Sequence, residues 1–455
     1  MGKYFGTDGF RGKAGVNLTA YHAFKTGRYL GWYFDRKKKT AERAKILIGK
    51  DPRRSSYMFE NALAAGITSS GCDAYLMHIT TTPGVSFLAG NEDFACGVMV
   101  SASHNPYYDN GLKLINSEGE KMSDEFIKGL EDYLDGAGEE IPYKTEDAIG
   151  KTEDYYFGRN RYIGYLSGLA EKSFENCRIG IDCANGAAWM IGRAVFDALG
   201  ARTYVINNAP TGTNINKDCG STHIEALQKH VVENRLDCGF AFDGDGDRCI
   251  AVDENGNVAD GDKIIYVCAG YLKEKGELEG DTVVVTVMSN MGLLKGLEKK
   301  DIKYEITSVG DRFVYENMKK NGYILGGEQS GHIIFRNHSH TGDGILTAVM
   351  LMNVMIKTQL PLSVLTAGCR TYPQVLKNVV VDDKEAALNC AAVADAAARE
   401  KERLGETGRI LLRASGTEPV VRVMSEAKTD ADALKAVDNI IAAMAASGHL
   451  QEIRK

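Results

Sequence analysis

Three aspartates, Asp243, Asp245 and Asp247, alternate with glycines directly after the apolar run 238–242. Three carboxylates this close together are electrostatically costly unless a cation compensates them. Oxygen ligands favour a hard ion such as Mg²⁺, and the glycines let the backbone turn the three side chains toward one point. Arg248 could hold a carboxylate or a phosphate beside the ion. An ordinary acidic turn is the alternative, and the density of charge favours the metal site.

A second candidate loop, SASHNP, follows the apolar residues VMV. A serine on a rigid turn after a strand can accept and donate a phosphoryl group if a metal and a cation neutralise the charge. Ser103, next to His104, and Ser101 both qualify on the residues alone, and Lys113 could supply the cation or a proton. Serine, asparagine and proline clusters are mostly ordinary turns, so this loop by itself is weak support for catalysis.

Two further loops suit the recognition of a phosphorylated sugar. GGEQSGH joins two strand-like runs, and its alternating polar side chains would share one face if the segment were extended: Glu328, Ser330 and His332. A histidine satisfied at a strand start is the simpler interpretation of His332. RASGTEPVVR combines a guanidinium, hydroxyls and backbone amides in a tight loop before a strand, which suits a dianion: Arg413, Ser415, Gly416 and Thr417. The N-terminal FGTDGFRG adds another glycine-flexed loop with Thr7, Asp8 and Arg11.

The elements that must position these loops recur along the chain. Short β-branched runs lead through a loop into an amphipathic helix near Lys45, at Arg178 and at Thr282. This pattern predicts α/β units with largely parallel strands. We therefore expect three similar mixed α/β domains, at 1–155 with the serine loop, 156–256 with the metal loop and 257–368 with the sugar loop.

The tail differs from this pattern. TYPQVLKNVVV, GRILLRAS and VVRVMSEA resemble strands, and Ala-rich helical stretches lie around 384–403 and 429–446. A smaller α+β domain at 369–455 is expected, carrying the phosphate loop. No low-complexity linker separates the four domains, so we expect them to surround a central cleft.

Composition excludes several classes of function. The 455 residues carry a net charge of −7, so no basic field points to nucleic acid. The chain contains no apolar run of about 20 residues, so no membrane span is expected. Ten cysteines are scattered without a C-x-x-C pair, a pattern typical of reduced thiols in a cytoplasmic protein.

Taken together, the motifs resemble those of the α-D-phosphohexomutase superfamily. They are FGTDGFRG, SASHNP, DGDGDR, TVMSN, VGDR, GGEQSGH and RASGTEPVVRVM, in the superfamily's order from Phe5 to Met424. The resemblance implies that Ser103, not Ser101, is phosphorylated, and that it joins the three aspartates in binding one Mg²⁺ per subunit. It implies that Arg11, His104 and Lys113 assist proton transfer and stabilise charge.

The same resemblance assigns the substrate contacts. Glu328, Ser330 and His332 would face the sugar, and Arg413, Ser415, Gly416 and Thr417 would hold its non-reacting phosphate. The implied assembly is a homodimer. Gln329, TVMSN and VGDR resemble the branch that converts glucosamine 6-phosphate to glucosamine 1-phosphate through glucosamine 1,6-bisphosphate, for UDP-N-acetylglucosamine synthesis.

Three competing interpretations remain on the sequence. The first is a phosphomannomutase/phosphoglucomutase, whose members more often have methionine at the position of Gln329. The second is a phosphatase that uses Asp243 as its nucleophile, and the third is a sugar-phosphate binding protein without activity. The last is disfavoured because every proposed catalytic position holds a competent residue.

Overall fold

The computed structural model describes residues 2–38, 42–137, 139–415 and 420–454. Its described residues form two compact units, one from Met1–Met288 with Lys300–Ala367, and the other from Ser289–Lys299 with Gly368–Lys455. Within the described residues, no helix is long and apolar enough to span a membrane.

The strands, in chain order, are β1 (Phe5–Gly6), β2 (Gly9–Lys13), β3 (Lys45–Lys50), β4 (Asp73–Ile79), β5 (Cys96–Val100), β6 (Asp109–Asn116), β7 (Thr152–Asp154), β8 (Arg178–Asp182), β9 (Arg202–Ile206), β10 (Cys238–Phe242), β11 (Cys249–Asp253), β12 (Val258–Ala259), β13 (Thr282–Thr286), β14 (Lys303–Thr307), β15 (Leu325–Gly327), β16 (Ile333–Phe335), β17 (Gln374–Val381), β18 (Arg409–Ala414), β19 (Val420–Glu426) and β20 (Leu450–Arg454). The α-helices are α1 (Ala20–Lys37), α2 (Arg54–Thr68), α3 (Thr82–Asn91), α4 (Asp124–Leu134), α5 (Phe157–Gly168), α6 (Ile191–Ala198), α7 (Glu225–Asn234), α8 (Gly261–Glu274), α9 (Met291–Lys299), α10 (Asp311–Asn321), α11 (Gly344–Thr358), α12 (Leu362–Thr366), α13 (Lys384–Asn389), α14 (Ala391–Leu404) and α15 (Asp430–Ala446).

The first unit contains three mixed sheets, each with parallel pairing toward one edge and antiparallel pairing toward the other. Their strand orders are β1-β2-β6-β5-β3-β4-β7, β12-β11-β10-β8-β9 and β14-β13-β15-β16. The pairs β3–β5, β8–β10 and β13–β15 are parallel, whereas β5–β6, β10–β11 and β15–β16 are antiparallel. The predicted α/β units are therefore present, with β3, β8 and β13 each followed by a helix.

The serine loop and the aspartate loop follow strands that are buried along their whole length. Every residue of β5 and of β10 is buried, and each strand lies between two neighbours in its sheet. Ile48 of β3 and Val98 of β5 pack with Phe59 and Leu63 of α2. Each such side chain stabilises the fold by about 1.5–3 kcal/mol, so the loops extend from a rigid base.

The second unit contains an antiparallel sheet of order β18-β19-β17-β20. Val379 and Val421 of this sheet share a core with Ile440 and Met444 of α15. The α+β prediction for the tail is confirmed. Two details differ: the helical stretch 384–403 breaks at Cys390, whose ψ of +125° is not helical, and β20 is absent from the sequence prediction.

The cysteines agree with the expectation of free thiols. Within the described part of the chain no two cysteines form a disulfide, and eight of the ten are buried, including Cys183, Cys238, Cys249 and Cys268. Burial raises the pKa of Cys183 above its ordinary value, because an apolar environment disfavours the thiolate. These residues therefore serve as small core side chains.

Candidate active site

Ser103 is the serine whose hydroxyl faces the aspartates. It is 1% exposed, and its Oγ donates to Asp243 Oδ2 at 2.5 Å. Ser101 has a different role: its Oγ accepts from the Ser103 N–H at 2.9 Å and donates to Asp51 Oδ2 at 2.6 Å. The Ser101 hydroxyl is therefore bonded to groups other than the three aspartates, and Ser103 is the candidate nucleophile.

The aspartate loop, 243–248, has its backbone folded around Asp243. Asp243 Oδ1 accepts from the N–H groups of Asp247 at 3.1 Å and Arg248 at 3.2 Å. Asp245 Oδ2 accepts from the Thr82 hydroxyl and, at 2.8 Å, from Lys113 Nζ. Asp247 Oδ2 also accepts from Lys113 Nζ, at 3.1 Å. Both oxygens of Asp243 are therefore bonded, whereas Asp245 and Asp247 each keep one open edge among the described residues.

The open edges fit a metal ion. Among the described residues, Asp245 Oδ1 and Asp247 Oδ1 are buried without a hydrogen-bond partner. One oxygen of each of Asp243, Asp245 and Asp247 lies within 4.8 Å of the others. Buried acceptors without partners are costly, and a hard cation would satisfy them. The donor set, made of oxygen only, suits a divalent cation.

The electrostatics of the aspartates also favour a cation. Burial raises the pKa of Asp243 well above its ordinary value, and the charges of Asp247 and Asp245 add to the rise. Burial opposes ionisation of Asp247 too, but Lys113 and His332 lower the pKa of Asp247 well below its ordinary value. Lys113 compensates only part of the charge, so a bound divalent cation would stabilise the ionised form of Asp243.

Arg11 and Lys113 bring positive charge to the same place. The sequence predicts Arg11 in a flexible loop, whereas the structure has it in strand β2, paired with Gly111 of β6 and bonded to Asp8. Lys113 Nζ lies 3.5 Å from Asp8 Oδ1. Burial disfavours the ionised form of Asp8, yet Lys113, Arg11 and Lys121 lower its pKa to about 2. Asp8 therefore stays ionised and orients both cations.

His104 lies beside the reactive hydroxyl. Its Nδ1 is 3.4 Å from Ser103 Oγ. Burial, together with the charges of Arg248 and Arg11, lowers the pKa of His104 to about 4. The imidazole is therefore neutral near pH 7 and able to accept a proton.

The GGEQSGH segment forms a turn between β15 and β16 and is not extended, so side-chain alternation does not apply. Glu328 Oε1 accepts from Gly310 N at 3.0 Å, and Ser330 Oγ is buried without a partner in the described part of the chain. His332 Nδ1 lies 3.8 Å from Asp247 Oδ2, and His332 Nε2 lies 3.6 Å from Asp311 Oδ2. Burial disfavours its charged form, but the carboxylates, Asp247 first, raise the pKa of His332 to about 9.

The phosphate-loop residues belong to the second unit. The sequence predicts Arg413 in a loop, but it lies in β18, directly opposite Arg422 of β19. Ser415 follows β18, and its N–H donates to Val420 O at 2.8 Å. Gly416 and Thr417 lie outside the described residues. Two opposed arginines repel each other, an arrangement that an anion would relieve.

Sequence reasoning missed four residues. Arg53 and Asn216 donate to the carbonyls of the serine loop, Thr82 donates to Asp245, and Arg422 faces Arg413. Arg422 could have been found, because it lies in the same RASGTEPVVR motif. The others act from distant segments, so only the fold brings them to the site.

Comparison with known proteins agrees with the architecture. The phosphoglucomutase/phosphomannomutase family matches over four consecutive parts, with alpha/beta/alpha domain I at residues 2–140, domain II at 160–256, domain III at 260–372 and the C-terminal domain at 376–444. The chain belongs to this family of phosphohexomutases. The resemblance inferred from the motifs and the predicted fold class are confirmed, while our domain boundaries stay a prediction.

Two relatives show which members of the family this chain is similar to in sequence. The phosphoglucosamine mutase of Lachnospira eligens is 58% identical over 449 residues, which is 99% of this chain and 100% of the relative. That of Bacillus subtilis is 47% identical over 94% of this chain and 95% of its own length.

Solved structures support the fold. A phosphoglucomutase/phosphomannomutase family protein of Burkholderia thailandensis has a TM-score of 0.80 at 22% identity, with 98% of each chain covered. An N-acetylphosphoglucosamine mutase of Aspergillus fumigatus, solved with GlcNAc-6P and magnesium, has a TM-score of 0.69 at 18% identity over 98% of this chain and 96% of that one. At this identity the likeness concerns the fold alone.

Proposed function

We propose that this chain interconverts glucosamine 6-phosphate and glucosamine 1-phosphate, using a phosphorylated Ser103 and a glucosamine 1,6-bisphosphate intermediate. One observation carries the proposal: the Ser103 hydroxyl bonds to Asp243 at 2.5 Å, inside a buried set of carboxylates with open oxygens. The choice of glucosamine phosphates is supported by the near full-length similarity to phosphoglucosamine mutases.

In the forward direction, the phosphoryl group leaves Ser103 Oγ and bonds to the free 1-hydroxyl oxygen of glucosamine 6-phosphate. The sugar then turns within the site, and Ser103 Oγ takes the phosphoryl group from its 6-position, which leaves glucosamine 1-phosphate. Each transfer breaks one P–O bond and forms another, so no outside reactant is consumed. Such transfers depend mainly on positioning and charge stabilisation.

Mg²⁺ is the proposed cation, and it would be held by Asp243, Asp245, Asp247 and an oxygen of the phosphorylated Ser103. When bound, it would neutralise charge on the transferred group. His104 is proposed to take the proton that the attacking hydroxyl loses, since it is neutral and 3.4 Å from Ser103 Oγ. Arg11 and Lys113 are proposed to stabilise the developing negative charge.

The remaining contacts are also proposals. Glu328, Ser330 and His332 would face the sugar, and the Ser330 hydroxyl, which has no partner among the described residues, would donate to a substrate oxygen. Arg413, Ser415, Gly416 and Thr417 would bind the phosphate that does not react, a role supported by the opposed arginines. We also propose, from the family resemblance, a cytoplasmic homodimer that supplies UDP-N-acetylglucosamine synthesis.

The test measures isomerisation of glucosamine, glucose and mannose phosphates together with intact mass. We expect the highest kcat/KM on glucosamine phosphates and one added phosphoryl group, both lost in Ser103→Ala. Preference for mannose or glucose phosphates would identify the alternative branch of the family. Full activity of Ser103→Ala, with phosphoenzyme lost instead in Asp243→Asn, would indicate the phosphatase.

A further inference from the structure

The backbone of Ser103 has an unusual conformation. Its φ is +51°, in the left-handed region that serine seldom adopts. Such a conformation persists where surrounding contacts enforce it, and it is frequently found at functional sites. Here it has a direct consequence, because the residue that turns in this way presents its hydroxyl to Asp243.

Two side chains hold this conformation by bonding to the same two carbonyls. Asn216 Nδ2 donates to Ser103 O at 2.8 Å and to Asn105 O at 3.1 Å. Arg53 Nη2 donates to Ser103 O at 3.1 Å and to Asn105 O at 2.6 Å. The chain between the two carbonyls must bend for both to meet the same donors, so these four bonds select one conformation of the loop.

Both donors are themselves fixed. Arg53 is fully buried and pairs through Nη1 with Asp51, the same carboxylate that accepts from Ser101. Asn216 is 8% exposed, and its N–H donates to Ala184 O at 2.9 Å. Asn216 lies in the segment between β9 and β10, and β10 leads into the aspartate loop. It is 113 residues from Ser103 along the chain.

The aspartate loop packs against this contact. A Cβ on Gly244 would lie 2.5 Å from Ser103 O and 2.8 Å from Asn216 Nδ2. A side chain at Gly244 would therefore displace either the serine carbonyl or its donor. The glycine that follows Asp243 thus permits the close approach of the two loops.

We propose that Asn216 and Arg53 form a clamp on the carbonyls of Ser103 and Asn105, and that as positioning residues they hold Ser103 Oγ in place beside the aspartate loop in each phosphoryl transfer. The clamp rests on the proposed mutase function. It touches only the loop backbone, so it should affect the rate of transfer and leave sugar binding unchanged.

Asn216 offers the sharper test, because removing the Arg53 side chain would leave the buried Asp51 carboxylate without its paired cation. The φ of Asn216 is +57°, so replacements must tolerate the left-handed region. Asn216→Asp keeps the shape but puts oxygen where the donor was, facing two carbonyls. Asn216→Gly removes the side chain and keeps the backbone, and it serves if the aspartate variant fails to fold.

The matched control is Asn353→Asp. Asn353 is 3% exposed, and its Nδ2 donates to a backbone carbonyl, Leu169 O, at 2.9 Å, outside the serine and aspartate loops. We expect both Asn216 variants to lower kcat by about 10- to 100-fold, because small misplacements of reacting groups have such effects. KM for glucosamine phosphates should change less than about twofold, while Asn353→Asp lowers Tm and keeps kcat.

The loss of phosphate from Ser103, followed by intact mass after glucosamine 6-phosphate is added, should slow with kcat. If the wild-type protein turns over glucosamine phosphates and both Asn216 variants keep its kcat, the clamp is overturned while the proposed function stands. An equal fall of kcat in Asn353→Asp would overturn it as well. A wild-type protein without turnover on sugar phosphates would overturn the proposed function, and the clamp with it.

Discussion

Arg413 of β18 and Arg422 of β19 lie directly opposite each other on adjacent antiparallel strands. Burial lowers the pKa of Arg413, and the charge of Arg422 lowers it further. Two like charges in this register destabilise the sheet by a few tenths of a kcal/mol up to about 1 kcal/mol. The two arginines therefore weaken the pairing of β18 with β19, but they suit the binding of a dianionic ligand.

Arg413→Gln should raise KM for the sugar phosphate by about 10- to 100-fold, since a charge-assisted hydrogen bond is lost. The free energy of unfolding should stay the same or rise slightly. Lys377→Gln is the control, because Lys377 lies on β17 of the same sheet and pairs with Asp438. Steady-state kinetics and denaturant titration measure both effects, and an equal KM change in the control would contradict the assignment.

Asp245→Asn should weaken the binding of Mg²⁺ or Mn²⁺ by at least about tenfold, because a charged ligand with an open oxygen is lost. Calorimetric titration and the rise of Tm on adding metal both report the affinity. Asp253→Asn is the matched control: this carboxylate is also buried, but its oxygens accept from Asn255 and Asn257 in the β11–β12 turn. Equal metal affinity in Asp245→Asn and wild type would exclude this site.

Ser101→Ala should keep a phosphorylated Ser103 but lower kcat by about tenfold, because the Ser103 N–H loses its acceptor. Intact mass and turnover separate the two effects. Ser86→Ala provides the comparison, since Ser86 is a buried serine whose hydroxyl donates to Gly119 O. Loss of the phosphoenzyme in Ser101→Ala would show that Ser101 carries the phosphoryl group.

Asp343 should make the stability depend on pH. Burial raises the pKa of Asp343 from 3.8 to about 6, although it accepts bonds from Leu346 N and from the Tyr162 hydroxyl. The folded chain binds this proton more tightly than the unfolded chain, so the contribution is fully present below pH 4 and is lost as the pH rises through 6. Its size is about 3 kcal/mol.

The comparison with Asp343→Asn isolates this effect from the other titrating groups. The difference in unfolding free energy, wild type minus variant, should fall between pH 4 and pH 6 and stay constant above pH 7. Denaturant titrations across this range measure it. A difference that does not vary with pH would show that Asp343 keeps an ordinary pKa.

Local patterns were sufficient to predict much of the fold. Strand β10 coincides with the apolar run 238–242, and the glycine-rich aspartate loop after it turns the chain back into β11. Both are set by short-range rules, since a continuous apolar run gives a buried strand and a glycine-rich polar run gives a turn. β20 was missed because an exposed strand at the sheet edge has no apolar pattern to reveal it.

The residues of the candidate site form the same two groups, those that local sequence patterns predict and those that only the fold brings together. The residue types of Ser103, Asp243, Asp245 and Asp247, and their order in the family's motifs, were enough to name a phosphoryl-transfer chemistry. The sequence could not select Ser103 over Ser101 without the family resemblance, nor identify Arg53, Thr82 and Asn216. Hydrogen bonds from distant segments decide which hydroxyl meets the carboxylates, and such contacts exist only once the strands have packed. The local residue types therefore determined the chemistry, whereas only the tertiary structure decided how the Ser103 hydroxyl is oriented and how deeply the site is buried.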